Sequence, residues 1–483
     1  MAIYHVITLV LLALLGYKDH ITSTSCPALC QCFYEKTVIC SDLLLKALPV
    51  DIPSQTQELL VLATGLKKIT IQENLQNLTK LVLLNNPVHE LSPDAFKGLT
   101  SLTELEISGS PIMALEAGIF NNLDKLTKLL LNNNKIRIIA PSIFDSLEKL
   151  ERLQLKGNIL IDLHRDLFQK LHNLQELNLS SNKITTIHII HLRNLQKLDL
   201  SMNQFTELSL DTFSENSTLQ ILSLQANKIT NISSGVFSQL KYLEELNLRD
   251  NKILALSAGL FPSNLKKLTL RGNSLIQLSS TAFTGLHNLT HLDLSQNSLS
   301  SLPAELFRNL STLEVLNLSD NMILALPNTL FRGLFQISAL YLQKNNLTSI
   351  GAELFKDQGR MSRLSLARNR LENLPDSMFD LLDFECLLHL HGNPWRCDCH
   401  LRYFHEWLYY SNKSVVDLSQ VYCADPQPLR GMSLTTVNTE QLVCLNRSNS
   451  KTGSTIYQAT SAESDKHAVF KEPTASLLLG ASS

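Results

Sequence analysis

The chain has 483 residues, a net charge of -2 and 18% charged residues, so no global field draws it toward nucleic acid or an anionic membrane. With 17 Gly and 15 Pro it has no collagen-like or low-complexity body. Length alone suggests about three globular domains, but an internal period replaces that reading with one elongated domain.

In chain order, Ile3 to Leu15 form an apolar run with no Lys or Arg before it. The run has the length of a signal-peptide core and is short for a bilayer span, which disfavours an N-terminal anchor. Residues 1–25 are therefore expected to be a signal peptide, cut after Gly16 or among Thr22 to Ser25. Residues 26–55 follow as a small cap holding Cys26, Cys30, Cys32 and Cys40 in the pattern C-x3-C-x-C-x7-C. Four such thiols can hold zinc or close two disulfides. The secretory context and the lack of paired C-x2-C spacing favour disulfides.

Residues 56–392 repeat with a period of mostly 24 residues. Copies begin at Thr56, Leu78, Leu102, Leu126, Leu150, Leu174, Leu195, Leu219, Leu243, Leu265, Leu289, Leu313, Ile337, Met361 and Glu385. Each fits L-x-x-L-x-L-x-x-N-x-L-x-x-L, a leucine-rich-repeat pattern, with the first and last copies degenerate. The L-x-L segment alternates with period two, which predicts a short strand: Leu153 and Leu155 point inward, Arg152, Gln154 and Lys156 outward. One strand cannot bury its apolar face alone, so stacked copies must share a parallel sheet and a core. Position nine is Asn from Asn86 to Asn393, with Ser110 the exception. A buried amide there can satisfy backbone groups along the stack. Phe recurs at position nineteen, from Phe96 to Phe379, and predicts an aromatic spine on the convex side. The copy from Leu174 is 21 residues long and lacks that Phe, so a thinner convex layer and a change of curvature are expected there. The fold class expected is an α/β solenoid. It is a leucine-rich-repeat horseshoe with a parallel concave sheet, an irregular or short-helical convex side and a disulfide cap at each end.

Residues 393–446 form the second cap, with Cys397, Cys399, Cys423 and Cys444 in C-x-C-x23-C-x20-C. Open solenoids expose their core at both ends, and small caps need covalent staples. Cys386 stands apart just ahead of the last strand, either buried or linking two chains. Residues 447–483 read as a disordered polar tail.

The sequence carries no catalytic, cofactor or metal site. His405-Glu406-Trp407-Leu408 opens like H-E-x-x-H, but Tyr409 stands where the second ligand should be, and Trp407 reads as a buried cap anchor. His389 and His391 share the concave side and could bind a metal together; no third ligand stands nearby in sequence, so they read as surface. Positions three, five, seven and eight line that face with mixed charge, among them Glu104, Glu106, Arg152, Lys156, Glu245, Arg249, Lys267, Arg271, Arg363 and Arg368. Mixed sign fits a protein partner better than a polyanion. Leu60, Leu62, Val82, Leu84 and Leu130 occupy outward positions near the N-terminal end and form a candidate partner-binding patch. The rival expectation is that the cap folds over them. Ten N-x-S/T sequons, at Asn77, Asn178, Asn216, Asn231, Asn288, Asn309, Asn317, Asn346, Asn412 and Asn446, suggest a glycoprotein. Asn178 and Asn317 fall at position five, on the concave face, where a glycan would obstruct binding.

The runs CPALCQCFYEKTVICSD (Cys26 to Asp42) and HGNPWRCDCHLRYFHEWL (His391 to Leu408), with QLVC (Gln441 to Cys444), resemble the flanks of extracellular leucine-rich-repeat proteins. That resemblance covers residues 26 to 446 and implies the pairs Cys26–Cys32, Cys30–Cys40, Cys397–Cys423 and Cys399–Cys444. Within the family the chain is similar to the non-catalytic large subunits of carboxypeptidase N, through the run Thr79 to Leu99 and the C-terminal flank. Those subunits carry a further C-terminal region in place of this short polar tail, and nothing that region does for assembly is carried over. The resemblance implies a secreted, glycosylated scaffold subunit that binds and stabilises a secreted zinc carboxypeptidase and contributes no catalytic group. The alternative is a matrix, receptor or immune-recognition protein for another extracellular ligand. Either way the expected partner is an extracellular protein, with no nucleic acid and no membrane span after signal removal.

Overall fold

The computed structural model describes residues 26–34, 36–71, 74–189, 192–210, 212–213, 218–380, 382, 385–411 and 414–444. The expected signal peptide, the polar tail and the sequons Asn216, Asn412 and Asn446 lie outside the described residues. Among the described residues no helix is long and apolar enough to cross a membrane.

The chain coils into a solenoid whose inner wall is one 18-stranded sheet. Its first two strands, β1 (Cys30–Phe33) and β2 (Thr37–Cys40), form an antiparallel hairpin in the N-terminal cap. From β2 onward all pairing is parallel and in register: β2 to β3 (Glu58–Leu62), β3 to β4 (Lys80–Leu84), β4 to β5 (Glu104–Ser108), and so on. The last repeat strand, Leu387–His389, pairs with Val415–Val416 of the C-terminal cap, so both caps extend the sheet. Inward residues such as Leu153 and Leu155 are fully buried in one continuous core. The convex side is the irregular kind. It consists of turns, with two pairs of two-residue strands, Ala114–Leu115 with Ile138–Ile139 and Glu207–Leu208 with Asn231–Ile232.

The position-nine amides do the work their chemistry suggests. Asn158 donates from Nδ2 to Leu131 O and Leu155 O, both at 2.9 Å, and accepts from Ile136 N–H at 3.0 Å. Asn182 takes the next step, donating to Leu155 O and Leu179 O and accepting from Leu160 N–H. Each amide thus ties its own turn to the preceding one and leaves no orphaned buried carbonyl at the bend. The Phe spine also forms. Phe96, Phe120, Phe144 and Phe168 stack at 6.1 to 6.4 Å, and Phe261, Phe283, Phe307, Phe331 and Phe355 at 6.1 to 6.5 Å. The stack breaks between Phe168 and Phe213, in the short copy from Leu174, where buried Ile189 and Leu192 replace the ring.

The caps are stapled by Cys26–Cys32 and Cys30–Cys40 at one end and Cys397–Cys423 at the other. Cys399 and Cys444 are also disulfide-bonded, so the cap thiols are not available as zinc thiolates. Helix α1 (Arg402–Ser411) closes the C-terminal end with buried Phe404 and Leu408. Trp407 is only half-buried, against Phe379 at 4.6 Å. The fully buried anchor is Trp395, whose indole packs on Phe404 at 5.2 Å and donates to Leu390 O. Cys386 is 2% exposed, which keeps its thiol out of reach of a second folded chain.

Candidate binding face

Parallel register brings equivalent outward side chains into rows across the concave sheet. At position three the row from Lys80 to Lys267 is mostly charged, and its carboxylates pair with cations on adjoining strands, although Lys128 lies beside Arg152 and Ile221 interrupts the row. Glu104 sits between Lys80 (3.2 Å) and Lys128 (3.4 Å), Glu176 between Arg152 and Lys197 (3.1 Å), and Glu245 pairs with Lys267 (2.6 Å). Exposed pairs of this kind each contribute about 0–1 kcal/mol, so their main effect is to neutralise the wall. Burial works to raise the Glu176 carboxyl, but the hydrogen bonds and charges of Lys197 and Arg152 prevail and hold it below the usual range. Position five carries a second device. Asn178, Asp199, Asn247, Asp293 and Asn317 each accept, through Oδ1, the N–H two residues on. These Asx turns finish the strand and occupy one side-chain oxygen apiece.

The N-terminal end departs from the expected exposed apolar patch. Leu60, Leu62 and Val82 are 5%, 8% and 2% exposed and form a small second core with Ile39, against which Phe33 and Leu84 pack. The cause is the β1–β2 hairpin, which continues the sheet and sets Ile39 beside Leu60 and Leu60 beside Val82 in one row. Leu84 and Leu130 remain half-buried. Glu106 stands between Val82 and Leu130 in the same row. Burial there raises its carboxyl above the usual range, and Glu104 adds to that, while the Ser108 hydroxyl and Lys80 act the other way.

Of the described sequons, Asn77, Asn231, Asn288 and Asn309 are exposed, and Asn178, Asn317 and Asn346 are half-buried. Asn178 also accepts from the Ser180 hydroxyl at 2.7 Å.

The C-terminal end gathers what the sequence kept apart. His389 and His391 lie with ring centroids 6.5 Å apart, and Asp417 of the cap joins them; one donor atom from each lies within 4.8 Å of the others. Asp417 follows Val416, which pairs with His389, and its backbone is left-handed (φ 55°, ψ 37°). That turn breaks the strand alternation and brings the carboxylate to the histidines. Burial, then the charges of His391 and Arg363, push the His389 imidazole toward a lower pKa, with Asp417 opposing. Asp417 carries no sequence signal that could have found it, since its approach depends on a backbone turn and on the cap continuing the sheet. His405, by contrast, is structural: its Nε2 lies 2.8 Å from Val437 O.

The Leucine rich repeat family model matches residues 101–160, 149–205, 193–253, 263–323 and 288–347. Human carboxypeptidase N subunit 2 is 47% identical over 57 residues, a stretch covering 12% of this chain and 10% of that protein. The chain thus aligns with about a tenth of that relative's length. A solved leucine-rich-repeat protein from Leptospira interrogans superposes with a TM-score of 0.66 at 28% identity, covering 78% of this chain and 94% of that one. TLR13, in the TLR13-ssRNA13 complex, gives a TM-score of 0.67 at 25% identity over 77% of this chain and 55% of its own. Repeats, parallel concave sheet and disulfide-stapled flanks together make this chain a leucine-rich-repeat protein.

Proposed function

We propose that the chain is a secreted, glycosylated, non-catalytic scaffold subunit that binds an extracellular protein through its concave face, with a secreted zinc carboxypeptidase as the partner. The observation that carries the reading is the uninterrupted concave sheet. It offers a long surface of mixed, mutually paired charge, with side chains spread along the rows rather than converging on a reacting centre. The three mapped disulfides suit an oxidising compartment. The local similarity to carboxypeptidase N subunit 2 favours a carboxypeptidase over other extracellular ligands. Signal removal at the N-terminus and glycan addition at the sequons belong to the same reading.

The test is reconstitution. The secreted chain, mixed with a purified secreted carboxypeptidase of basic-residue specificity, should co-elute as a defined complex and slow the enzyme's thermal inactivation. The chain alone should release no C-terminal Lys or Arg from peptides. Separate elution with unchanged enzyme lifetime would move the reading to the matrix or immune-recognition alternative.

A further inference from the structure

We propose that His389, His391 and Asp417 form a binding site for a divalent cation of the zinc class, where the last repeat meets the C-terminal cap. Three donors mutually within 4.8 Å can all lie about 2.8 Å from a common point, so shifts of about 0.7 Å bring them to the 2.0–2.2 Å of zinc ligation. Side-chain rotation alone covers that distance. The donor set is two imidazole nitrogens and one carboxylate oxygen. It suits zinc and neighbouring first-row ions, whereas calcium and magnesium prefer all-oxygen sites.

One further observation points to a missing ligand. His391 Nδ1 is buried and meets no hydrogen-bond partner among the described residues. A buried acceptor or donor left unmatched carries a penalty that an ion or its bound water would remove. Asp417 sits in the left-handed region (φ 55°), which Asp adopts more readily than most residues, and that turn is what brings its carboxylate to the histidines. Arg363 is an adverse charge beside His389. Its guanidinium lies 3.4 Å from the Tyr341 hydroxyl, which draws it toward the neighbouring strand.

The ion would join two elements. Both histidines belong to the last repeat, and the aspartate belongs to the cap strand that pairs with it. Zinc would therefore fasten the cap to the solenoid. Three protein donors leave further coordination positions for water on the exposed Asp417 side.

The experiment uses the full secreted chain, without a polyhistidine tag and stripped by a chelator. Zinc chloride is titrated by calorimetry and followed by thermal melting. The expected result is one equivalent bound, with a rise in melting temperature. His389→Asn and Asp417→Gly should each weaken binding at least tenfold and abolish the rise, while the exposed-site control His172→Asn changes neither. Gly adopts the left-handed conformation without strain and, unlike Asn before Leu418 and Ser419, creates no glycosylation sequon, so Asp417→Gly should fold, and circular dichroism without zinc checks it. Cobalt(II) gives a second readout: visible d–d bands in the wild type that Asp417→Gly lacks. No saturable zinc binding by the wild type, or wild-type affinity in a folded Asp417→Gly chain, overturns the proposal.

Discussion

Replacing Asn227 with Ala tests the amide ladder at a point where every bond is defined. Asn227 donates to Leu200 O and Leu224 O at 3.0 Å, reaches Gln225 O at 3.3 Å, and accepts from Phe205 N–H at 3.2 Å. Leu200, Leu224 and Phe205 are buried, so water cannot replace the amide without entering the core. Ala leaves the Phe205 N–H without its partner and takes one of two amide donors from each carbonyl, since Leu200 O keeps Asn203 Nδ2 (3.1 Å) and Leu224 O keeps Asn251 Nδ2 (2.9 Å). An unmatched buried group costs about 1–3 kcal/mol when it stays dry. With the two weakened carbonyls added, the expected loss is about 2–3 kcal/mol. The control is Asn247→Ala on the concave face, whose Oδ1 accepts from Arg249 N–H and whose Nδ2 bonds the half-buried Gln225. Solvent can substitute there, so its loss should stay below about 1 kcal/mol. Urea denaturation of both variants, monitored by circular dichroism and by hydrogen exchange, gives the comparison. Exchange matters because long repeat arrays can unfold in parts. Equal losses in the two variants would refute the idea that the ladder is a buried hydrogen-bond device.

Three further outcomes follow from the same structure. Ser110 breaks the ladder and its hydroxyl is buried without a partner, so Ser110→Asn should restore the missing amide and raise stability by about 1 kcal/mol, read as a higher melting temperature. Phe283 stacks between Phe261 (6.5 Å) and Phe307 (6.2 Å) and is buried, so Phe283→Ala should cost about 3–5 kcal/mol in urea titrations. Leu84→Arg, at the half-buried margin of the N-terminal cluster, should weaken partner binding in reconstitution while secretion stays normal; failed secretion would assign Leu84 to the cap core instead.

The repeat was legible because it is local. Every L-x-L strand, position-nine Asn and position-nineteen Phe meets its counterpart one period away, so spacing alone reveals the contacts. The break in the Phe spine was legible for the same reason: HIIHL stands where a Phe is due. The ends were harder, because their contacts are not periodic. Alternation correctly sent Leu60, Leu62 and Val82 to the concave side. Their burial depends on Ile39 and Phe33, which belong to a hairpin outside the repeat. Trp407 stood out beside His405 and Glu406, yet Trp395 is the fully buried anchor.

The concave wall is chemically uneven along its length. In the middle, position-three charges already have partners in the adjoining strands, and position-five Asn and Asp side chains already bond their own backbone. A partner that docked there would have to displace contacts before it could replace them, and gain little net. The two ends differ from that pattern in chemistry. One end places Glu106 between Val82 and Leu130, where its carboxylate accepts from the Ser108 hydroxyl (3.2 Å) and is desolvated enough that a partner cation would interact with it strongly. The other gathers two imidazoles and a carboxylate from two different elements. Regular repetition builds the wall, and the caps interrupt it with side chains that no other repeat carries. If the proposed function holds, discrimination between partners on this face falls to its ends.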